Sequence, residues 1–197
     1  MASEFELKYR ADEAVQAGIR EALPGIWREI PMATTYYDTP DGALSRNHWT
    51  LRHRREGQRD VCTLKTPGAN HVRGEWEVEE TSITRALVPL SRMSGCLELL
   101  ELASRGLVAV CGAKFTRWAL DVEQPDFTAE LALDRGILHS GSREIPLCEV
   151  ELELKSGDRN AMEAYARAFA HTYTLEPEGA SKYARASALR REGSHGF

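Results

Sequence analysis

Two runs near opposite ends of the chain carry ionisable residues at every second position. Glu4-Phe5-Glu6-Leu7-Lys8-Tyr9-Arg10 alternates acid or base with apolar residues, and Glu149-Val150-Glu151-Leu152-Glu153-Leu154-Lys155 repeats the design. Side chains of a strand alternate between its faces, so each run makes a charged stripe backed by an apolar one. Two carboxylates about 4 Å apart repel by roughly 4 kcal/mol at an effective dielectric near 20, so such acids, once clustered, must protonate or recruit cations. Carboxylates with no His or Cys among them are hard oxygen donors, which suit Mg²⁺ or Mn²⁺ rather than zinc.

Cations recur in the same phase on other runs. Arg52 and Arg54 share a face of Trp49–Arg55, and Lys65 ends Asp60–Lys65. Lined up on strands, such side chains donate bidentate and point-charge contacts to phosphate oxygens. Glu75 and Glu77 lie in phase with Arg73, and Glu130 in phase with Asp134. Any single stripe is most simply a solvated strand face. One phase shared by this many strands, with apolar opposite faces that need covering, instead predicts a sheet curled around a charged interior. Carboxylates, a divalent metal and Arg/Lys donors together describe a polyphosphate site.

The elements that must position these residues follow from local pattern. Asp12 caps a predicted helix from Glu13 to Leu23, and Asp158 caps one from Arg159 to Tyr173. Strands are expected at 34–38, 49–55, 60–65, 73–79, 115–122, 128–134 and 149–155, besides the first run. Between Thr84 and Gly106 the period is helical, with Pro89 and Gly95 expected to split it. Residues 180–186 read as a loop or a final helix. Trp49, Trp76 and Trp118 fall on the apolar phases and are expected to pack outside the charged face.

The 197 residues suffice for one domain spanning 1–197, and a hydrophobic share of 42% without a bilayer-length apolar run argues against a membrane protein. A net charge of −5 disfavours a nucleic-acid binder. The N-terminus is acidic from Glu4 on, unlike a signal peptide, and the four scattered cysteines form no CxxC pair, so a cytoplasmic location is expected. The fold class is α+β with a predominantly antiparallel sheet.

An ordered series of motifs resembles the CYTH family, the triphosphate tunnel metalloenzymes. It comprises Glu4-x-Glu6-x-Lys8, Tyr36-Tyr37-Asp38-Thr39-Pro40-Asp41, Leu51-Arg52-x-Arg54, Thr63-Leu64-Lys65, Glu75-x-Glu77, Phe115-x-Arg117, Glu130-x-x-x-Asp134, Glu149-x-Glu151-x-Glu153 and Ser181-Lys182. The resemblance implies an eight-stranded antiparallel β-barrel forming a tunnel, with a charged interior and peripheral helices. It implies a cytoplasmic hydrolase that uses Mg²⁺ or Mn²⁺ to cleave a small-molecule triphosphate, with the bacterial inorganic triphosphatase branch the best match. By the same resemblance Glu4, Glu6, Asp134, Glu151 and Glu153 match metal ligands, with Glu130 and Glu149 as further acids. Lys8, Arg52, Arg54, Lys65, Arg117 and Lys182 match triphosphate-binding positions, and Glu4, Glu6 and Lys8 form the catalytic set, Lys8 as positioner of phosphate and water. An organic triphosphate enzyme, such as a thiamine triphosphatase or class IV-type adenylate cyclase, and a non-catalytic polyphosphate-binding module remain open, as does a homodimer.

Overall fold

The computed structural model describes residues 5–67 and 74–191; Glu4 and Arg73 lie outside the described residues. In chain order the elements are β1 (Glu6–Arg10), α1 (Glu13–Ala22), β2 (Arg28–Asp38), α2 (Ala43–Arg46), β3 (Thr50–Glu56), β4 (Arg59–Thr66), β5 (Gly74–Glu79), α3 (Ile83–Ser94), α4 (Glu98–Ala103), β6 (Val108–Gln124), β7 (Phe127–Ser140), β8 (Arg143–Gly157), α5 (Arg159–Thr172), β9 (Glu176–Pro177) and α6 (Lys182–Arg191).

Both predicted caps form. Asp12 accepts a hydrogen bond from the Val15 amide at 2.8 Å, and Asp158 accepts one from that of Ala161 at 2.7 Å. Each such cap stabilises its helix by about 1 kcal/mol. Gly95 ends α3 in the left-handed region at φ 72°, a conformation that glycine enters without a Cβ clash. Pro89, expected to split this stretch, instead lies inside α3. Ile83, Ala86 and Leu90 are buried on either side of it, and that packing holds the helix together despite the backbone hydrogen bond a proline lacks.

The strands form one sheet in the order β5-β4-β3-β2-β6-β7-β8-β1-β9. The pairings are antiparallel, from the β1–β8 ladder through the β3–β4 hairpin to β4–β5. The eight expected strands are present, and the two-residue β9 adds a ninth at the β1 edge. No pairing joins β5 to β9 among the described residues, so the ladder is not closed by hydrogen bonds. The sheet nevertheless curls, because β1 and β5, far apart in strand order, contribute side chains to the same cavity. β2 reaches further back than residues 34–38 and takes in Pro31. At Pro31 the β3 ladder has ended, its last pair being Met32 with Glu56, and the Pro31 carbonyl accepts from the Gly57 amide of the β3–β4 turn at 2.8 Å, so the missing N–H costs no ladder bond.

Apolar phases point outward and are covered by helices. Ile19 of α1 and Met162, Ala166 and Phe169 of α5 pack on Trp118, Leu131, Leu133, Val150 and Leu152. A second cluster joins Leu51, Cys62 and Leu64 to Ile83, Ala86 and Leu90 of α3 and Leu99 of α4. Burying each such side chain fully is worth roughly 1.5–3 kcal/mol. Residues 180–186, open between loop and helix in the sequence, lead into α6, and this helix departs from the expected peripheral placement. Its Ala186 and Tyr183 pack on Phe115, Ala113, Leu138 and Leu147. Leu147 shares the phase of Glu149 and Glu151, so α6 lies on the inner face and covers its apolar half. No helix among the described residues is long and apolar enough to cross a membrane.

Candidate active site

The uncovered half of the inner face bounds a cavity of about 860 Å³. Strand register determines which charges meet there. Glu6 of β1 stands opposite Glu153 of β8, which stands opposite Glu130 of β7. One residue pair along, Lys8 faces Glu151 and Glu151 faces Ala132; beyond that, Glu149 faces Asp134, and Asp134 faces Arg117 of β6. Three neighbouring strands thus carry a row of three carboxylates, and like charges directly opposite repel unless a cation lies among them.

Glu6, Glu130 and Glu153 all lie on the cavity wall, with side chains 30%, 19% and 28% exposed. Each has a cation beside it: Lys8 Nζ is 3.1 Å from Glu6, Arg28 2.9 Å and Arg117 4.0 Å from Glu130, and Lys155 Nζ 2.8 Å from Glu153. An oxygen-only donor set in contact with solvent fits a hard divalent ion that keeps part of its water shell.

Asp134 and Glu149 do not reach that wall. Both are fully buried, behind cations that α6 and β6 bring to them. Lys182 Nζ is 2.8 Å from Asp134 Oδ2, 2.8 Å from Glu151 Oε1 and in contact with Glu149 Oε1. Arg117 donates to both oxygens of Asp134, at 2.8 and 2.7 Å, and to Glu151 Oε2 at 2.5 Å. Ligand atoms of Asp134, Glu149 and Glu151 converge within 4.8 Å, close enough for a metal. The position between them is taken by an ammonium group, whose three N–H donors match three carboxylates. Asp134 and Glu149 thus lie behind the cavity wall, where they anchor Lys182 and Arg117 while forming with Glu151 the acid group whose ligand atoms converge. Glu151 does both, lining the cavity while holding Lys182.

Electrostatics follow this geometry. Burial pushes the Glu151 carboxyl up, but Lys182 and Arg117 outweigh it and hold the group well below the usual carboxylate range. For Glu149 burial dominates and leaves its carboxyl raised, despite the opposing pull of Lys182. Burial acts to lower the Lys182 ammonium, yet Asp134, Glu151 and Glu149 raise it above the ordinary lysine value.

The opposite wall is cationic. Arg52 of β3 donates from Nε to Thr63 at 3.1 Å and lies 3.4 Å from both Glu75 and Glu77 of β5. Lys65 of β4 is 2.9 Å from Glu75. Arg54 bonds Thr34 at 3.2 Å and Glu56 at 3.3 Å. Burial, then the like charges of Arg52 and Arg117, push its guanidinium below the ordinary arginine value. An anion in the cavity would relieve both effects. Lys8, Arg117 and Lys182 complete the predicted cations on this cavity, each bonded to an acid.

Arg59, Tyr36 and Tyr183 also line the cavity and Arg28 lies beside Glu130, none of which the sequence patterns assign to the site, although Tyr36 opens one of the family motifs. The phase of Tyr36 with Thr34 was a usable signal for the first of the two tyrosines; Tyr183 depends on where α6 docks. Trp49 and Trp118 pack outside as expected, with Trp118 between the Arg20 and Arg135 guanidinium groups. Trp76 packs partly on the outer cluster and also borders the cavity.

An antiparallel sheet curled around an ionised interior, with a carboxylate row on β1, β8 and β7 and Arg/Lys paired with glutamates on β3, β4 and β5, defines the tunnel class of folds. The CYTH domain profile matches residues 2–187, and the chain belongs to that family. Inorganic triphosphatase of Haemophilus influenzae is 33% identical over 136 residues, 64% of this chain; the chain spans about 37% of that relative's length. A candidate adenylyl cyclase from Hippeastrum, described as having a dominant triphosphatase activity, superposes with a TM-score of 0.65 at 19% identity, covering 94% of this chain and 96% of that one. A candidate adenylate cyclase from Bacillus halodurans gives 0.65 at 16% identity over 98% and 100% of the two chains. At these identities the structural likeness establishes the fold.

Proposed function

We propose that the chain hydrolyses inorganic triphosphate to pyrophosphate and phosphate with Mg²⁺ or Mn²⁺. One observation carries this reading: Arg54 is buried beside other cations, facing a row of three carboxylates across the same cavity. A polyanion and a hard cation together neutralise both walls. The family membership and the Haemophilus influenzae relative support the same activity.

Arg52, Arg54 and Lys65 grip the phosphate chain, with Arg54 providing the most desolvated contact. Lys8 reaches over Glu6 at 3.1 Å and positions the terminal phosphate and the attacking water. Its three N–H donors suit it to holding a phosphate oxygen and a water together. Glu6, Glu130 and Glu153 would hold the metal, which would lower the pKa of a bound water and screen phosphate charge; Glu4, which the resemblance adds to this set, lies outside the described residues. Glu151 stays ionised between Lys182 and Arg117 and keeps the inner end of the cavity negative. As water oxygen bonds to the terminal phosphorus, the bridging P–O bond breaks toward pyrophosphate. The cationic wall stabilises the charge that develops on that leaving group.

A second reading is favoured by one observation. Trp76 and the exposed Met93 border the cavity, offering an apolar surface to the organic part of a thiamine or adenosine triphosphate. The test is phosphate release from tripolyphosphate, thiamine triphosphate and ATP with Mg²⁺ or Mn²⁺. Fastest turnover of tripolyphosphate is expected. Formation of cyclic AMP with tripolyphosphate untouched would overturn the proposal, and binding without turnover of any of the three would make the chain a polyphosphate-binding module.

A further inference from the structure

Behind the cavity, the cations and acids continue past Lys182 in an alternating chain. Glu149 is fully buried and divides its carboxylate between two residues of α6: Oε1 faces Lys182 and Oε2 accepts from Arg185 Nη2. Arg185 lies one helical turn beyond Lys182. Its other terminal nitrogen is 3.7 Å from Glu178, whose Oε2 is 3.1 Å from Arg10 Nε. The backbone amide of Glu178 donates to the Lys8 carbonyl at 2.8 Å. These contacts tie α6 and its preceding loop to β1 at Lys8.

The same rung of the sheet is also held from outside. Gln16 of α1, 2% exposed, donates to the carbonyls of Asp134 at 3.1 Å and Glu149 at 2.9 Å. Arg185 does not line the cavity, so its influence on a ligand there passes through its partners, most directly Glu149, which holds Lys182. Its removal would leave Glu149 buried with Lys182 as its remaining charge partner, and Lys182 would be drawn from Glu151 toward that excess charge.

We propose that Arg185 is a positioning residue, holding Glu149 so that the Lys182 ammonium and the Glu151 carboxylate keep their places at the inner end of the cavity. The activity arm rests on the triphosphatase reading above. For Arg185→Gln, kcat for tripolyphosphate is expected to fall about 10- to 100-fold, as for groups that orient first-contact residues. KM is expected to stay within about threefold, and Arg185→Lys to regain most of the rate, because both retained features belong to orientation rather than substrate contact. A purely structural role would lower the melting temperature and leave the kcat of the folded enzyme unchanged, which would overturn the proposal.

A second arm needs no turnover. In protein labelled with ¹⁵N at lysine, the Lys182 ammonium should give a slowly exchanging signal in wild type and Arg185→Lys. That signal should shift in Arg185→Gln, as the ammonium moves from Glu151 toward Glu149, while the sheet amides keep their positions. An unshifted signal would contradict the proposal whatever the enzyme's substrate. Should Arg185→Gln fail to fold, Glu178→Gln, which removes the partner that orients Arg185, is expected to broaden the same signal, and an unaltered signal would again count against it. Absence of tripolyphosphate turnover in wild type, with the ammonium signal behaving as expected, would count against the triphosphatase reading alone.

Discussion

The Lys182 ammonium and the Glu151 carboxylate stand 2.8 Å apart, both buried, and join α6 to the centre of β8. A buried pair of this kind is most sensitive to loss of one member, because the remaining charge has neither water nor partner. Lys182→Met should therefore destabilise the fold by about 3–5 kcal/mol. Urea unfolding in metal-free buffer measures it, and a loss below about 1 kcal/mol, the range of an exposed pair, would show that the network is solvated.

The direction of the pKa shifts fixes the sign of the pH dependence. Glu151 is depressed in the fold, so its contribution is present above the unfolded glutamate value of about 4.3 and is lost as pH falls through the lower folded value. Lys182 is raised, so its contribution is present below about pH 10.4 and is lost as pH climbs through the folded value. Glu149, raised by burial, acts oppositely to Glu151: its cost sets in as pH rises from the unfolded glutamate value through the raised folded value and persists above it. Glu151→Gln should flatten the acid limb of a stability–pH curve measured without metal. An acid limb parallel to that of wild type would assign it to other groups.

Arg54 should report anion binding directly. In EDTA, tripolyphosphate is expected to raise the wild-type melting temperature by mass action, since it binds the folded state. Arg54→Gln removes a desolvated charge-assisted contact, and its affinity should fall about 10-fold or more, in keeping with roughly 1.5–3 kcal/mol for such a bond. Differential scanning fluorimetry across a ligand titration reads this, and an unchanged shift would place the phosphates elsewhere.

The thiols give an independent check on the fold. Burial pushes Cys62 up to about 11, Cys111 to about 12 and Cys148 to about 11. At pH 8 all three should react with a thiol reagent far more slowly than an unfolded cysteine, because the thiolate is the reacting form. Rapid modification of Cys111, which packs beneath α6, would mean that the helix does not cover the inner face.

Period-two alternation made the charged face legible, most cleanly on β1 and on Glu149–Lys155 of β8; β3 and β4 also carry charge on the other phase, where His53 and Arg55 meet Asp60. It also paired the ends of the chain, as Glu6 opposite Glu153 and Lys8 opposite Glu151 now show. The long extensions of β6 and β7 were less visible. Cys111-Gly112-Ala113 and Gly136 carry little strand propensity, yet close approach demands small residues there: a Cβ on Gly136 would lie 2.1 Å from the Lys114 carbonyl oxygen. The inward docking of α6 had no periodic signal at all, because the helix presents Lys182 and Arg185 to acids and Tyr183 and Ala186 to an apolar patch. For that reason the phase rule grouped Asp134 and Glu149 with the cavity acids. Phase assigns a face, whereas α6 decides which part of that face stays open.

The central claim is that the row Glu6–Glu153–Glu130 and the Arg/Lys wall act together on a triphosphate. Its most direct test is phosphate release from tripolyphosphate as Mg²⁺ or Mn²⁺ is titrated into metal-stripped protein, for wild type and Glu6→Gln/Glu153→Gln. The account predicts turnover that requires metal and falls at least about 100-fold in the double variant, while tripolyphosphate binding in EDTA persists. Turnover that is indifferent to metal, or unaltered in the double variant, would contradict it.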